Sequence, residues 1–149
     1  MSVPLVVDIQ EEIITALKQT TAKRVELYLG QLSDYKEPEL GVDDLPIIYI
    51  DYTGSIPDGI RKEFKFNIYI VNIAFSKNEK NRAAAHNELL KLLDEIDEKL
   101  NNIISQDFEV LKTKKIFDAK IEKGYLTIYT KDLKVQTTNE EQIWNDSKL

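Results

Sequence analysis

The amino-acid sequence predicts an α+β domain, a two-layer sandwich in which two amphipathic helices cover a mostly antiparallel sheet. Three stretches carry that expectation. Between Lys62 and Ile70, Phe64, Phe66, Ile68 and Ile70 alternate with Lys65, Asn67 and Tyr69, the period of a strand with one wet face. From Asn81 to Asn102 the apolar spacing becomes about 3.6 residues, with Ala85, Leu89, Leu92, Leu93, Ile96, Leu100 and Ile103 in one stripe. Near the N-terminus Val6, Ile9, Ile13 and Leu17 repeat that spacing, widened by Ile14.

The first helix extends from about Pro4 to Gln19. Proline suits the first helical turn, where its missing N–H has no partner to lose. Asp8, Glu11 and Glu12 lie toward the positive end of the helix dipole and Lys18 toward the negative end. Arg24–Leu29 reads as a strand closed by Gly30. Gln31–Leu45 is a loop, interrupted by Pro38, Gly41 and Asp43-Asp44. Pro46 opens a second strand, Ile47–Tyr52, and Thr53–Arg61 is a second loop or hairpin turn holding Gly54, Pro57 and Gly59.

From Tyr69 to Phe75 the central strand becomes apolar on both faces. That requires cover from another segment of the chain or from a second subunit. The long helix, roughly 30 Å at ~1.5 Å per residue, keeps Glu88, Lys91, Asp94, Glu95, Glu98 and Lys99 on its outer side. Two shorter β segments follow: Phe108–Ile116, whose pattern fits either a strand or a strand broken by a turn, and the more regular Gly124–Lys131. Residues 1–135 thus form one domain, and 136–149 a polar tail relieved only by Ile143 and Trp144.

Composition narrows the function classes. A chain of 149 residues with 42% hydrophobic content can bury a full core without disulfides. It has no cysteine, so thiol catalysis and Cys-ligated zinc are excluded. No apolar run reaches the ~20 residues of a membrane helix, and no basic segment precedes an apolar one as in a signal peptide. The expectation is a soluble product made in the cytoplasm. Acidic residues outnumber basic ones 26 to 20, for a net charge of −6. Phosphate-backbone binding needs clustered lysines and arginines. The densest basic group here, Lys112, Lys114 and Lys115, reads as a solvated strand edge. No specific nucleic-acid binding is expected.

Chemistry finds little purchase. His86 is the only histidine and lies just outside the helical stripe. No Gly-x-Ser-x-Gly elbow or phosphate-cradling glycine pattern occurs. Asp43-Asp44, Asp94 with Asp97, and Glu140-Glu141 are local carboxylate pairs without evident partners. The expectation is no enzyme, with no catalytic residue, cofactor or metal.

The element order, with the segments that carry it, resembles a known family. The segments are Asp8-Ile9-Gln10-Glu11-Glu12-Ile13, Leu27-Tyr28-Leu29-Gly30-Gln31-Leu32, Leu45-Pro46-Ile47-Ile48-Tyr49-Ile50-Asp51-Tyr52-Thr53-Gly54, and Phe64-Lys65-Phe66-Asn67-Ile68-Tyr69-Ile70, followed by the helix Arg82 to Leu100. Over about residues 5–131 the chain resembles the Mu-like phage and prophage family of small tail proteins, and is similar to tail terminator (tail completion) proteins of long-tailed phages. The resemblance implies a structural subunit that forms a hexameric ring, caps the tail tube of a virion or tail-like particle, and meets tube, sheath and neck proteins. It transfers no functional residue. Another head–tail connector or tail assembly protein, or a cytoplasmic binding module, is the alternative. From the residues themselves, Ile56, Ile60 and Arg61 in the second loop, and Ile143 and Trp144 in the tail, are the expected interface positions.

Overall fold

Alternation at a period of two puts Phe64, Phe66, Ile68 and Ile70 on one face of a strand, and in the folded chain all are buried beneath the helices. The structure, a computed structural model, describes residues 6–32, 40–58, 61–76 and 78–137. The chain runs α1 (Val6–Leu17), β1 (Arg24–Leu27), β2 (Ile47–Asp58), β3 (Arg61–Ala74), α2 (Glu79–Asn101), β4 (Asp107–Ile121) and β5 (Gly124–Gln136). A 3-10 turn at Val42–Asp44 precedes β2.

The five strands make one mixed sheet in the order β1-β2-β3-β5-β4. β1 pairs parallel with β2, whereas β2–β3, β3–β5 and β5–β4 are antiparallel. The α+β class holds; the expected mostly antiparallel sheet is corrected to a mixed one. The reason is the long segment between β1 and β2. Parallel neighbours need a return path of about a dozen residues or more, and residues 28–46 supply it.

Both helices lie on one face of the sheet. Ile9, Ile13, Ile14 and Leu17 of α1 and Leu89, Leu92, Leu93, Ile96 and Leu100 of α2 share a core with Ile48 and Ile50 of β2 and Leu133 and Val135 of β5. Each such side chain contributes roughly 1.5–3 kcal/mol on burial. The helices are also tied to each other. Just past α1, Thr21 donates its backbone N–H and its hydroxyl to the Glu95 carboxylate, at 2.9 and 2.8 Å. Thr20 closes the helix by donating its hydroxyl to the Leu17 carbonyl at 2.6 Å. At the start of α2, the Asn78 side chain accepts from the Lys80 N–H at 2.8 Å, filling an otherwise orphan position.

The opposite face answers the question raised by Tyr69–Phe75. Ile47, Tyr49, Val71, Ile73, Leu126 and Ile128 form a second buried cluster there, closed by Leu40 and Leu45 of the β1–β2 connection. The chain covers its own doubly apolar strand end. That stretch therefore gives no sign of a second subunit.

Two segments read as loop or tail are strand instead. β2 continues to Asp58, with Ile56 opposite Glu63, Pro57 opposite Lys62 and Asp58 opposite Arg61. A register shift between Tyr52 and Gly54, with Gly54 at φ 145°, lets the hairpin twist there. Proline is tolerated because Lys62 turns the other way: Thr137 donates its N–H to the Lys62 carbonyl at 3.1 Å and accepts the Lys62 N–H at 3.3 Å. β5 likewise runs past Lys131 through Gln136, and buried Thr137 belongs to the sheet rather than to a polar tail.

Lys131 is the unexpected core member. Only 1% exposed, it faces the helices beside Ile68, and its Nζ donates to Asp97 of α2 and Thr113 of β4, each at 2.8 Å. Its partner is 40% exposed. Removing the lysine leaves a carboxylate that water can reach, whereas removing the carboxylate strands a buried ammonium. Asp97→Ala is expected to cost about 2–4 kcal/mol and Lys131→Met under about 1 kcal/mol, compared by urea denaturation. Equal losses would contradict this account. Gly124, at φ 155°, closes the β4–β5 hairpin, and a Cβ there would sit 2.1 Å from the Ala74 carbonyl oxygen. Gly124→Ala is expected to lower stability by about 2 kcal/mol or more, read as a fall in the same denaturation midpoint.

Candidate assembly interface

Apolar side chains that the fold leaves in water mark where the chain could meet a partner. Three regions of the sheet group them, while Val7 of α1, Leu90 of α2 and Ile104 just past α2 are exposed apart from these. The first is the distal β2–β3 hairpin. Ile56 lies on the face away from the helices and is 47% exposed, next to Glu63, which approaches Lys134 at 3.8 Å. Arg61 is exposed at the start of β3. Residues 59–60, including the expected interface residue Ile60, lie outside the described residues, as do Ile143 and Trp144. Of the expected positions the structure thus brings Ile56 and Arg61 to one hairpin end.

The second region is the β1 side of the molecule. Leu29 and Val42 are exposed there. Arg24 bridges the strand to the 3-10 turn, reaching Asp44 at 2.9 Å and Glu26 as well. Glu26 and then Asp44 hold the Arg24 guanidinium above its ordinary value, and the Gly41 N–H, followed by Arg24, holds the Asp44 carboxyl below its own. The charges of this edge are spent on each other. Behind it Tyr28 stacks on Tyr69 at 4.8 Å between ring centroids and meets Tyr49 edge-on at 6.2 Å.

The third region is β4, the other edge of the sheet. It is long, and its register with β5 slips between Val110 and Lys112 and again between Lys115 and Phe117. Each slip leaves one residue without a cross-strand partner, Leu111 and Ile116, which are 49% and 47% exposed. Phe117 follows at 42%. The lysines between them are the basic group that the sequence marked as a solvated edge, and the structure places them there. The apolar residues beside them went unread because bulges break the period of two on which strand reading depends.

A cleft of about 350 Å³ separates the first turns of α2 from the adjoining end of the sheet and is lined by Asn72, Arg82, His86, Asp118, Tyr125 and Thr127. The Arg82 guanidinium lies 3.4 Å over the Tyr125 ring. Asp118 accepts from Lys115 at 3.1 Å and from Thr127 at 3.2 Å. The Lys115 bond chiefly, and that from Thr127 as well, hold its carboxyl below the ordinary value against the opposing effect of desolvation. The Asp118 carboxylate is thus engaged by its neighbours, and exposed His86 lines the same cleft. Among the described residues no His, Asp and Glu cluster of metal-binding size occurs, and no helix is long and apolar enough to cross a membrane.

No protein-family model matches the chain, and no curated protein matches it.

Because Ile56 lies in water on a paired strand, Ile56→Ser is expected to change stability by no more than about 0.5 kcal/mol, measured by thermal unfolding. A larger loss would place the side chain in the monomer's core. Asp118 carries a pH prediction with a definite sign. A carboxyl held low in the folded state stabilises above the unfolded value, near ~4, and that contribution fades as pH falls through the folded value. Lys115→Met is expected to move the Asp118 titration upward, as followed by carboxyl-carbon NMR.

Proposed function

We propose that this protein is a structural subunit of a phage tail or tail-like particle: a terminator or completion protein that forms a ring, caps the tail tube and joins it to the neck. The observation that carries the reading is the element order. An amphipathic helix, a strand, a proline-opened strand, a long strand, a long helix and a closing β segment are the order on which the resemblance to small tail proteins rests, and elements in that order occur in one sheet-and-helix domain. Exposed apolar residues at the distal hairpin and along β4 support it further, since a subunit that works by contact needs surface of that kind. The partners are further copies of the chain together with tube, sheath and neck proteins. The role is mechanical, with no reaction assigned to any residue.

The reading has a direct test. Purified protein mixed with tail tubes from a long-tailed phage or phage-like particle is expected to bind at tube ends as a ring, most simply of six subunits, visible by negative-stain electron microscopy. Mass photometry of the same mixture gives the copy number. A protein that stays monomeric alone and with tubes, and leaves tube ends bare, would refute it.

A further inference from the structure

We infer that the free edge of β4 is a docking strip for the C-terminal segment, residues 138–149, of a second copy of this chain. The inference deepens the ring reading by naming the contact between neighbours. It starts from the way β4 departs from an ordinary protected edge. Edge strands are commonly blunted by charge and by bulges. β4 has both, yet its bulges present Leu111 and Ile116, and Phe117 continues the patch. Lys112 and Lys114 make no ion pair or side-chain hydrogen bond among the described residues, while Lys115 reaches Asp118. A strip that ends in Lys114-Lys115-Ile116-Phe117 therefore offers a basic pair followed by an apolar pair, beside an outer backbone edge that pairs with no described strand.

The C-terminal segment carries the complement in the same order. Glu140-Glu141 precede Gln142, and then come Ile143-Trp144. Laid parallel to β4 with Ile143 and Trp144 beside Ile116 and Phe117, the segment sets Glu141 beside Lys114 and Glu140 beside Thr113, between Lys112 and Lys114. Backbone pairing along an open edge supplies affinity, and side chains at alternate positions supply selectivity. An acidic, apolar-tipped peptide suits this edge better than a second β4, whose lysines would repel.

Reach decides that the occupant comes from another copy. Thr137 is fixed to Lys62, and Gln136 lies opposite Asp107, so the segment leaves at the Asp107 end of β4. From Thr137 to Trp144 the extended chain covers at most about 25 Å. Phe117 lies about 30 Å along β4 from Asp107, and reaching its outer edge adds about 10 Å across two strand spacings. A chain cannot lay its own Trp144 on its own Phe117. Closer in, Asp107 and Glu109 would face Glu140 and Glu141. Docking in a neighbour removes both obstacles, and one edge with one segment per copy gives a head-to-tail contact that can close into a ring.

The test uses full-length protein and two variants at exposed or terminal positions. One carries Lys114→Glu and Lys115→Glu on the edge; the other carries Ile143→Ser and Trp144→Ala in the segment. Sedimentation velocity across a concentration series reads assembly, and circular dichroism confirms that each variant unfolds at the wild-type temperature. Each variant alone is expected to weaken self-association by about tenfold or more. An equimolar mixture retains one intact edge and one intact segment, so it is expected to recover a dimer. Adding Glu140→Lys and Glu141→Lys to the edge variant is expected to restore assembly by charge exchange. The sole tryptophan gives a second readout: its emission shifts blue as wild-type protein associates. Variants that assemble as wild type would overturn the docking strip while leaving the ring reading intact. Wild type that is monomeric both alone and on tubes would overturn both. Blue-shifted emission in the monomer would place the segment on its own chain and overturn the docking between copies.

Discussion

A period of two gives a strand one residue for each face at every step, and the middle strand of this sheet has to satisfy two unequal faces along one chain. β3 does so by changing character part-way. Its first half buries Phe64, Phe66 and Ile68 under the helices while Lys65 and Asn67 face water; its second half buries Val71 and Ile73 on the other side. β2 and β5 take their register from it, so their alternation inherits the same division: Ile48 and Ile50 against Ile47 and Tyr49, Leu133 and Val135 against Leu126 and Ile128. A one-residue slip anywhere would exchange the faces and expose both clusters. The helices, the β1–β2 connection and the parallel edge strand all follow from that division, since each covers a patch that β3 has defined.

Lys131 shows how the division is enforced where apolar residues run out. It stands in the helix-facing row between Tyr129 and Leu133, opposite Ile68. There a charge is tolerated only because Asp97 and Thr113 take two of its hydrogen bonds. The same contacts link α2, β5 and β4, three elements distant in sequence. Burying a lysine is weak support for stability, because a hydrophobe of similar volume would often do as well. What it adds is selectivity of register: with β5 shifted by one residue the ammonium would leave its acceptor and face the open side.

Much of this was legible in the sequence, and the gaps have physical causes. Helical spacing locates α1 and α2 within a few residues, and most of their stripe residues are buried, with Val6, Ala85 and Ile103 only partly so. The alternation of β3 was equally plain. β5 seemed to stop at Lys131 because pattern reading assigns a lysine to solvent, although Leu133 and Val135 continue the row beyond it. The distal part of the β2–β3 hairpin reads as a loop or a hairpin turn because Gly54, Pro57 and Gly59 are turn residues in most settings. Only the tertiary partner of Lys62, Thr137, explains why a proline can sit opposite it. Of the candidate interface, Ile56 is legible as an apolar residue in a polar stretch, whereas Ile143 and Trp144, an apolar pair in a polar tail, lie outside the described residues. Leu111, Ile116 and Phe117 could not, since their exposure depends on two bulges that exist only in the paired sheet.

The two edges of the sheet are handled differently, and the contrast bears on how the molecule associates. β1 is four residues long and parallel to its neighbour. Its arginine is engaged by Glu26 and Asp44, so little backbone or charge is left to recruit a strand. β4 is fifteen residues long, and its outer side pairs with no described strand. Bulges cut that edge into short runs, too irregular for a flat partner to zip along its whole length, which guards against indiscriminate edge-to-edge growth. They leave one short run of lysines bracketed by apolar side chains, readable by a peptide of matching charge and poorly suited to its own image. An edge of that kind disfavours the two-fold contact between like surfaces. On the proposed reading it suits a heterologous contact, in which each copy gives a segment and receives another, the kind from which closed rings are built.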